Sequence, residues 1–387
     1  METKQEKDTQ VQAEATQNQP KVNTAKKKKK SMKIMDVVLC GLLFVFAWAT
    51  INQYRYFGIE LVIQAVLKLI VACLVAWLTH VIFYGIGDSL AKKEFSSFWE
   101  RITANHKKIS RNVPFITATI IAMRFRSGTP LLLIVLAVVL AELIGKLMWG
   151  GFGKNRVNPV AVGFLLTDLM FEQYNRMPEL IDGITSATPL SGIASNGWHF
   201  GTYQYANFQA TFGNWWDLLI GNTPAPSAEM ARLAILIALA FMIWKKALDW
   251  VVPALYLGTV FAITLVVGIY HGFNLTYPVY HLLTGGILFG AVFMATDPVT
   301  IPKNKLGKMI FAILLGILTL AIRFGSLRFP EGMMLALVVM NLLSPWINDK
   351  AAPLAKKETK VRFVSLSAIF ITGLFLVLMI SIVNTGA

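Results

Sequence analysis

The chain has 387 residues, 55% of them hydrophobic and only 15% charged, against roughly 25% charged in a soluble domain. That deficit, together with repeated apolar runs of the roughly 20 residues a helix needs to cross hydrocarbon, excludes an ordinary soluble protein. The formal charge of +15 does not point to nucleic acid, because the lysines and arginines sit in short loops between apolar runs, as the positive-inside rule describes.

In chain order, residues 1–32 are polar, lack aromatic residues and end in the lysine run 26–30. They are expected to form a disordered cytoplasmic tail, the lysines holding it inside rather than binding one particular lipid. They do not read as a signal peptide, since the polar lead is too long and no small-residue cleavage site follows the first apolar stretch. Long spans are expected near 34–51, 59–86, 130–149, 158–171, 229–244, 251–270, 308–322, 331–346 and 363–384, with shorter apolar segments near 113–123 and 281–295. With the N-terminus inside, one set of loops holds Lys92, Lys93, Arg101, Lys107, Lys108, Lys154, Arg156, Lys245, Lys246, Lys303, Lys305 and a basic stretch before the last span. The other set holds only Arg55, Arg124, Arg126, Arg176, Arg232, Arg323 and Arg328. Eleven crossings keep that bias on one side and put loop 172–228 and the C-terminus outside.

The two short segments occupy matching places, each third in a set of five. Each runs into a break, Ser127-Gly128-Thr129-Pro130 in one case and Thr296-Asp297-Pro298 in the other. Such a pair predicts either a repeat with a site near the midplane or two kinked helices with no site. The span at 363–384 falls outside this two-fold scheme. Cys40 and Cys73 both lie in apolar spans, which argues against disulfides and cysteine-held metal, and the five histidines show no metal-binding spacing.

The most specific stretch is Asp182-Gly183-Ile184-Thr185-Ser186-Ala187-Thr188-Pro189-Leu190. Pro189 pushes Thr188 toward an extended backbone, and Ala187 leaves its hydroxyl accessible. A hydroxyl is a poor nucleophile without an activating base, so this reads as an acceptor of a modification or as an ordinary polar turn. Asp182-x-x-Thr185-x-Ala187-Thr188 resembles the flavinylation motif of the NqrB/RnfD family, membrane components of the Nqr and Rnf electron-transport complexes. Two further stretches resemble that family. One is Gly145-Lys146-Leu147-Met148-Trp149-Gly150-Gly151-Phe152-Gly153-Lys154-Asn155-Arg156-Val157-Asn158-Pro159. The other runs from His281-Leu282-Leu283-Thr284-Gly285-Gly286 through Thr296-Asp297-Pro298 to Pro330-Glu331-Gly332.

The resemblance covers about residues 33–350. It implies FMN held by a phosphoester at Thr188, with Asp182, Thr185, Ser186 and Ala187 completing the motif. An extracytoplasmic, magnesium-dependent flavin transferase would install it, and a second, non-covalent flavin is a further expectation. It also implies an all-α fold of about ten membrane segments in two repeats, similar to urea transporters. The chain departs from the family in three ways. The double proline usual after the first short segment is missing, with Arg124 and Arg126 nearby. The lysine-rich tail replaces the usual lead, and 351–387 adds a linker and an extra C-terminal helix.

Other ionisable residues fall inside the apolar spans. Glu142 and Lys146 are spaced i, i+4 on one face, which predicts structural pairing, with an ion pathway as the alternative. Lys68 and His80 share the second span, and Lys68 is expected to act as a packing partner. Asp297 reads either as a helix N-cap ahead of Pro298 or as a carboxylate near an ion or flavin path. The outer loop is rich in rings, Trp198, Phe200, Tyr203, Tyr205, Phe208, Phe212, Trp215 and Trp216, which suit interfacial anchoring, with one or two available to stack on a flavin. The expected function is a flavin-carrying subunit of an electron-transfer complex, coupled to Na+ or H+ movement or exporting electrons. The expected partners are the other subunits of that complex, the flavin transferase and the bilayer. The competing reading is a urea-transporter-like channel, which would not need the Thr188 motif.

Overall fold

The computed structural model describes residues 33–384 apart from 56–57, 94, 96, 110–111, 127, 172–178, 182–183, 187, 196, 199, 224 and 326–328. The lysine-rich tail 1–32 lies outside the described residues. The chain begins with α1 (Lys33–Arg55), α2 (Ile59–Leu90), α3 (Phe98–Lys108), α4 (Val113–Arg124), α5 (Leu131–Leu143), extended by a 3-10 turn at Leu147–Trp149, and α6 (Pro159–Met170). An antiparallel hairpin follows, β1 (Glu179–Ile181) with β2 (Ile184–Ser186), Leu180 opposite Thr185. Three short helices come next, α7 (Pro189–Ser195), α8 (Thr202–Phe212) and α9 (Trp215–Ile220). The remainder is α10 (Arg232–Trp244), α11 (Val251–Tyr270), α12 (Tyr277–Leu283), α13 (Ile287–Phe293), α14 (Lys305–Gly325), α15 (Met333–Leu354) and α16 (Thr359–Asn384).

Among the described residues, six helices are long and apolar enough to cross a membrane: α1, α2, the stretch Leu131–Trp149, α11, α14 and α16. The protein is thus a helical, multi-pass membrane protein, and the one departure from an all-α chain among the described residues is the β1–β2 hairpin. Its Leu180, Ile181, Ile184 and Thr185 suit a strand better than the polar turn expected there.

The packing repeats. In the first half α2 packs on α4 and α5, and α5 packs on α6. In the second half α11 packs on α12, α13 and α14, and α14 packs on α15. The opening helices of the two halves, α1 and α10, touch at Gly41, beside Ala238 and Met242. In lipid no hydrophobic force drives helices together, so close approach depends on small residues. Gly163 shows this: a Cβ there would stand 2.7 Å from the Ala141 Cβ, so a side chain at this position would force α6 off α5. Outward faces stay apolar, as at Ile63, Ile70, Leu74 and Ile82 of α2.

The breaks differ from expectation in the second half. The segment predicted at 281–295 is two pieces, α12 and α13, separated at Thr284-Gly285-Gly286, where Gly285 takes φ +70°. That conformation is open to glycine and strained for other residues. Asp297 is not a helix N-cap. Its Oδ1 accepts the Val299 N–H at 3.1 Å in a turn, and the next helix starts only at Lys305. Pro302 supplies the reason, since a proline there cannot donate to a helix started at Pro298.

Candidate functional site

Pro189 opens α7, a position where its missing N–H costs nothing. Thr188 is the N-cap: its Oγ1 accepts the Ser191 N–H at 3.3 Å, its hydroxyl donates to Ser191 Oγ at 3.1 Å, and its carbonyl accepts the Gly192 N–H at 2.9 Å. From the sequence this hydroxyl belongs on an accessible loop. The structure instead buries the residue to 7% exposure, because α7 lies against the α12–α13 break. A Cβ on Gly285 would stand 2.8 Å from Leu190 Cδ2. Thr188 lines a half-open cavity of about 510 Å³, whose wall includes Arg124, Arg126, Asp168, Glu229 and Glu331. Of its motif neighbours, Thr185 and Ser186 belong to β2, while Asp182 and Ala187 lie outside the described residues.

The charged wall is built where the two broken segments meet. Arg124, the last residue of α4, pairs with both Glu331 oxygens through Nη2 and reaches Glu229 Oε1 through Nη1 at 3.4 Å. The same carboxylates hold the break: Glu331 accepts the Gly286 N–H at 2.9 Å and Glu229 the Gly285 N–H at 3.1 Å. Arg323 is fully buried and donates to the carbonyls of His281 (3.0 Å), Thr284 (3.4 Å) and Glu331 (3.4 Å). It thereby satisfies oxygens that the end of α12 leaves without intrahelical partners. Arg232 donates to the Leu218 carbonyl at 2.7 Å and stands 3.6 Å from Glu229.

The junction therefore sets the three arginines Arg124, Arg232 and Arg323 against the two carboxylates Glu229 and Glu331, an excess of one positive charge. Of these five only Arg124, Glu229 and Glu331 line the cavity, and with Arg126 and Asp168 its wall holds two arginines against three carboxylates. The buried Arg124 Nε has no protein acceptor. Loop-charge counting assigns Arg124, Arg232 and Arg323 to outer loops, yet all three are buried. Their lone positions in otherwise apolar segments were the available signal, since a charge buried in a membrane protein needs partners.

A second polar cluster sits away from Thr188. Glu142, fully buried, accepts from Lys146 Nζ at 2.8 Å and lies 2.8 Å from His80 Nε2. Lys146 also donates to Thr117 Oγ1 at 2.8 Å. The expected Glu142–Lys146 pair is present, with His80 and Thr117 added. Lys146 shares the lining of a smaller cavity, about 90 Å³, with Asp297, Asn155 and Asn158. Lys68 is the packing partner expected of it, donating to the Phe125 and Arg126 carbonyls at 3.2 and 2.8 Å beyond the end of α4.

The loop rings do not wall the Thr188 cavity. Trp198, Phe200, Phe208 and Phe212 are buried in their own cluster against Tyr277 and Tyr280, whereas Tyr203 and Trp216 are exposed. The rings at the cavity are Phe125, Phe164 and Phe329, and the Arg124 guanidinium lies 5.7 Å from the Phe164 ring centre. Among the described residues no group of His, Cys, Asp and Glu is arranged to hold a metal.

These features define a multi-pass membrane protein with a charged, half-open cavity where broken helices meet. The chain belongs to the NQR2, RnfD, RnfE family, whose model matches residues 16–357. It is 32% identical over 259 residues to the B subunit of the Na(+)-translocating NADH-quinone reductase of Chromohalobacter salexigens, covering 65% of this chain and 61% of that protein. The corresponding B subunit from Stutzerimonas stutzeri is 33% identical over 268 residues, covering 65% of this chain and 62% of that protein. The D subunit of the proton-translocating ferredoxin:NAD(+) oxidoreductase complex of Clostridium ljungdahlii is 28% identical over 265 residues, with 66% and 78% covered. The matched region thus spans about 61–62% of the length of the two reductase subunits.

Proposed function

We propose that this chain is the flavin-bearing membrane subunit of an ion-translocating electron-transfer complex, with FMN joined through its phosphate to the Thr188 hydroxyl. The observation that carries this reading is the placement of Thr188 on a 510 Å³ cavity whose wall holds Arg124 and Arg126 beside Asp168, Glu229 and Glu331. The residues fit the group. The volume lies within the roughly 300–1,000 Å³ of small-molecule sites, Arg126 suits a phosphate, and Phe125, Phe164 and Phe329 offer ring faces. A flavin held there supplies the electron chemistry.

The chain's own residues bind and orient. Esterification removes the proton that Thr188 donates to Ser191 Oγ, and Ser191 retains its 2.8 Å donation to the Thr188 carbonyl. The Ser191 N–H still finds the ester oxygen, so α7 keeps its cap. The repeated packing supports a reading of ten segments in two repeats over 33–350, similar to urea transporters, with 172–228 as the extracytoplasmic flavin-bearing loop and α16 as an addition. On this reading the partners are the other subunits of the complex and a flavin transferase, and ion movement belongs to the assembly. Asp297, Glu142 and Lys146 stand as candidates for an ion path.

The test is in-gel flavin fluorescence after co-expression with a flavin transferase and denaturation. The unmodified chain should fluoresce, Thr188→Ala should be dark, and Thr188→Ser should keep part of the signal. Fluorescence persisting in Thr188→Ala, or missing from the unmodified chain beside an active transferase, would overturn the reading.

A further inference from the structure

We propose that Arg124 raises the reduction potential of the flavin carried on Thr188, with Glu331 acting as the opposing charge. The inference rests on the Thr188 reading and deepens it. Arg124 is 4% exposed and shares the cavity wall with Thr188. The two are tied through one piece of structure. Leu190, two residues after Thr188, packs on Gly285, while Glu331 and Arg124 close on Gly286.

The cavity wall carries Arg124 and Arg126 against Asp168, Glu229 and Glu331, so each charge on it acts on a bound group individually, and the buried Arg124 Nε has no protein acceptor. A carrier that takes up two electrons and one proton gains one negative charge. Charges beside protein interact more strongly than in bulk water, so a fixed guanidinium favours the electron-rich state and a fixed carboxylate disfavours it. Charge near a flavin ring is a recognised lever on its electronics. Arg124 thus acts as a positioning and tuning residue, without touching the covalent link.

The two members of the ion pair should push the potential in opposite directions, which a purely structural role would not do. The experiment is a dithionite titration, against reference dyes, of the purified, covalently flavinylated chain, with flavin content read from denatured protein. In Arg124→Gln the reduced-to-oxidised ratio at fixed potential should fall at least about tenfold, about 30 mV for a two-electron couple. Glu331→Gln should raise it by a similar factor. Arg124→Lys, and the double variant Arg124→Gln with Glu331→Gln, should each stay within about threefold of the unmodified chain, about 14 mV.

Shifts of the same sign in the two single variants, or none beyond threefold on loaded protein, overturn the proposal. If Arg124→Gln fails to fold, Glu331→Gln decides alone: a raised potential supports the proposal, and an unchanged or lowered one removes it. An unmodified chain without flavin removes the Thr188 reading along with this one, whereas unshifted potentials on a loaded chain remove only this one.

Discussion

Two buried charge clusters in this molecule are built on opposite plans. The His80–Glu142–Lys146–Thr117 cluster lies within one half, joins α2, α4 and the end of α5, and adjoins a cavity of only about 90 Å³. Its carboxylate has a cation on one side and an imidazole on the other. The Arg124–Glu229–Glu331 cluster joins the two halves, borders about 510 Å³ of space and keeps a guanidinium N–H without a protein acceptor. Each cluster keeps one buried nitrogen without a protein partner, His80 Nδ1 in the first and Arg124 Nε in the second. The comparison teaches that neither burial of charge nor an unpartnered nitrogen alone marks a functional site; the size of the adjoining cavity and the joining of the two halves set the second cluster apart.

The largest expected effect falls on the first cluster. Lys146→Met leaves the buried Glu142 carboxylate with His80 but without its lysine and should cost about 3–5 kcal/mol. The double change Glu142→Gln with Lys146→Met should cost less, because no charge is left alone. Thermal unfolding in detergent measures both. A double-variant loss equal to the sum of the two single losses would mean that the pair is not coupled, and the contrast with the second cluster would collapse.

An intermediate effect is expected at the second cluster. A Cβ on Gly286 would overlap Glu331 Oε1 and Arg124 Nη1. Gly286→Ala should therefore push the clasp apart and cost about 1–3 kcal/mol. It should also expose the break between α12 and α13 to faster amide hydrogen exchange than it does α5. Unchanged exchange at 284–287 would show that the clasp does not hold the break.

A smaller effect is expected at Thr188. Removal of the N-cap in Thr188→Ala should cost about 1 kcal/mol beyond the loss of flavin, while Thr188→Ser retains most of the cap. Equal melting temperatures for unflavinylated Thr188→Ala and the unmodified apo chain would contradict the capping role.

The smallest effect belongs to a control outside both clusters. Asp249 pairs with Lys308 at 2.8 Å in the loop before α11. Partial burial pushes its carboxyl up, but the Lys308 hydrogen bond, the Val251 N–H and the charges of Lys308 and Lys305 outweigh it and hold the group below its ordinary value. The pair's contribution is therefore present above the unfolded carboxyl value of about 3.9 and fades as pH falls through the lower folded value. Asp249→Asn should cost no more than about 1 kcal/mol near neutrality, and nothing once the carboxyl is protonated. A larger loss would show that a partly exposed pair matters as much as the buried clusters.

How much of this could be read from the sequence follows from the range of each interaction. Glu142 and Lys146 lie one helical turn apart, so their pairing was legible without a fold. Six of the nine long spans expected from apolar runs are helices long and apolar enough to cross a membrane, while the stretches expected at 158–171 and 229–244 form only the shorter α6 and α10, and α15 is not among the six. Arg124 and Glu331 are 207 residues apart, and no local pattern brings them together; that needs the two halves to be folded against each other. The burial of Thr188 was hidden for the same reason, since Pro189 gives the cap but Gly285 gives the surface that covers it. Asp297 misled because Asp-Pro is a good helix start, while Pro302, five residues on, forbids the helix. The loop rings misled because a sequence rich in aromatics does not say whether they meet a ligand or one another.

The added helix α16 has its own consequence for the surface shown to the bilayer. It packs on α11 and α14, with Gly373 set against Ile317. The corresponding face of the first half, on α2 and α5, has no such cover among the described residues and shows Ile63, Ile70, Leu74 and Ile82 outward. One flank is thus covered by the chain itself, while α2 keeps an apolar outward face among the described residues, so the two sides of the molecule offer unlike surfaces to the bilayer.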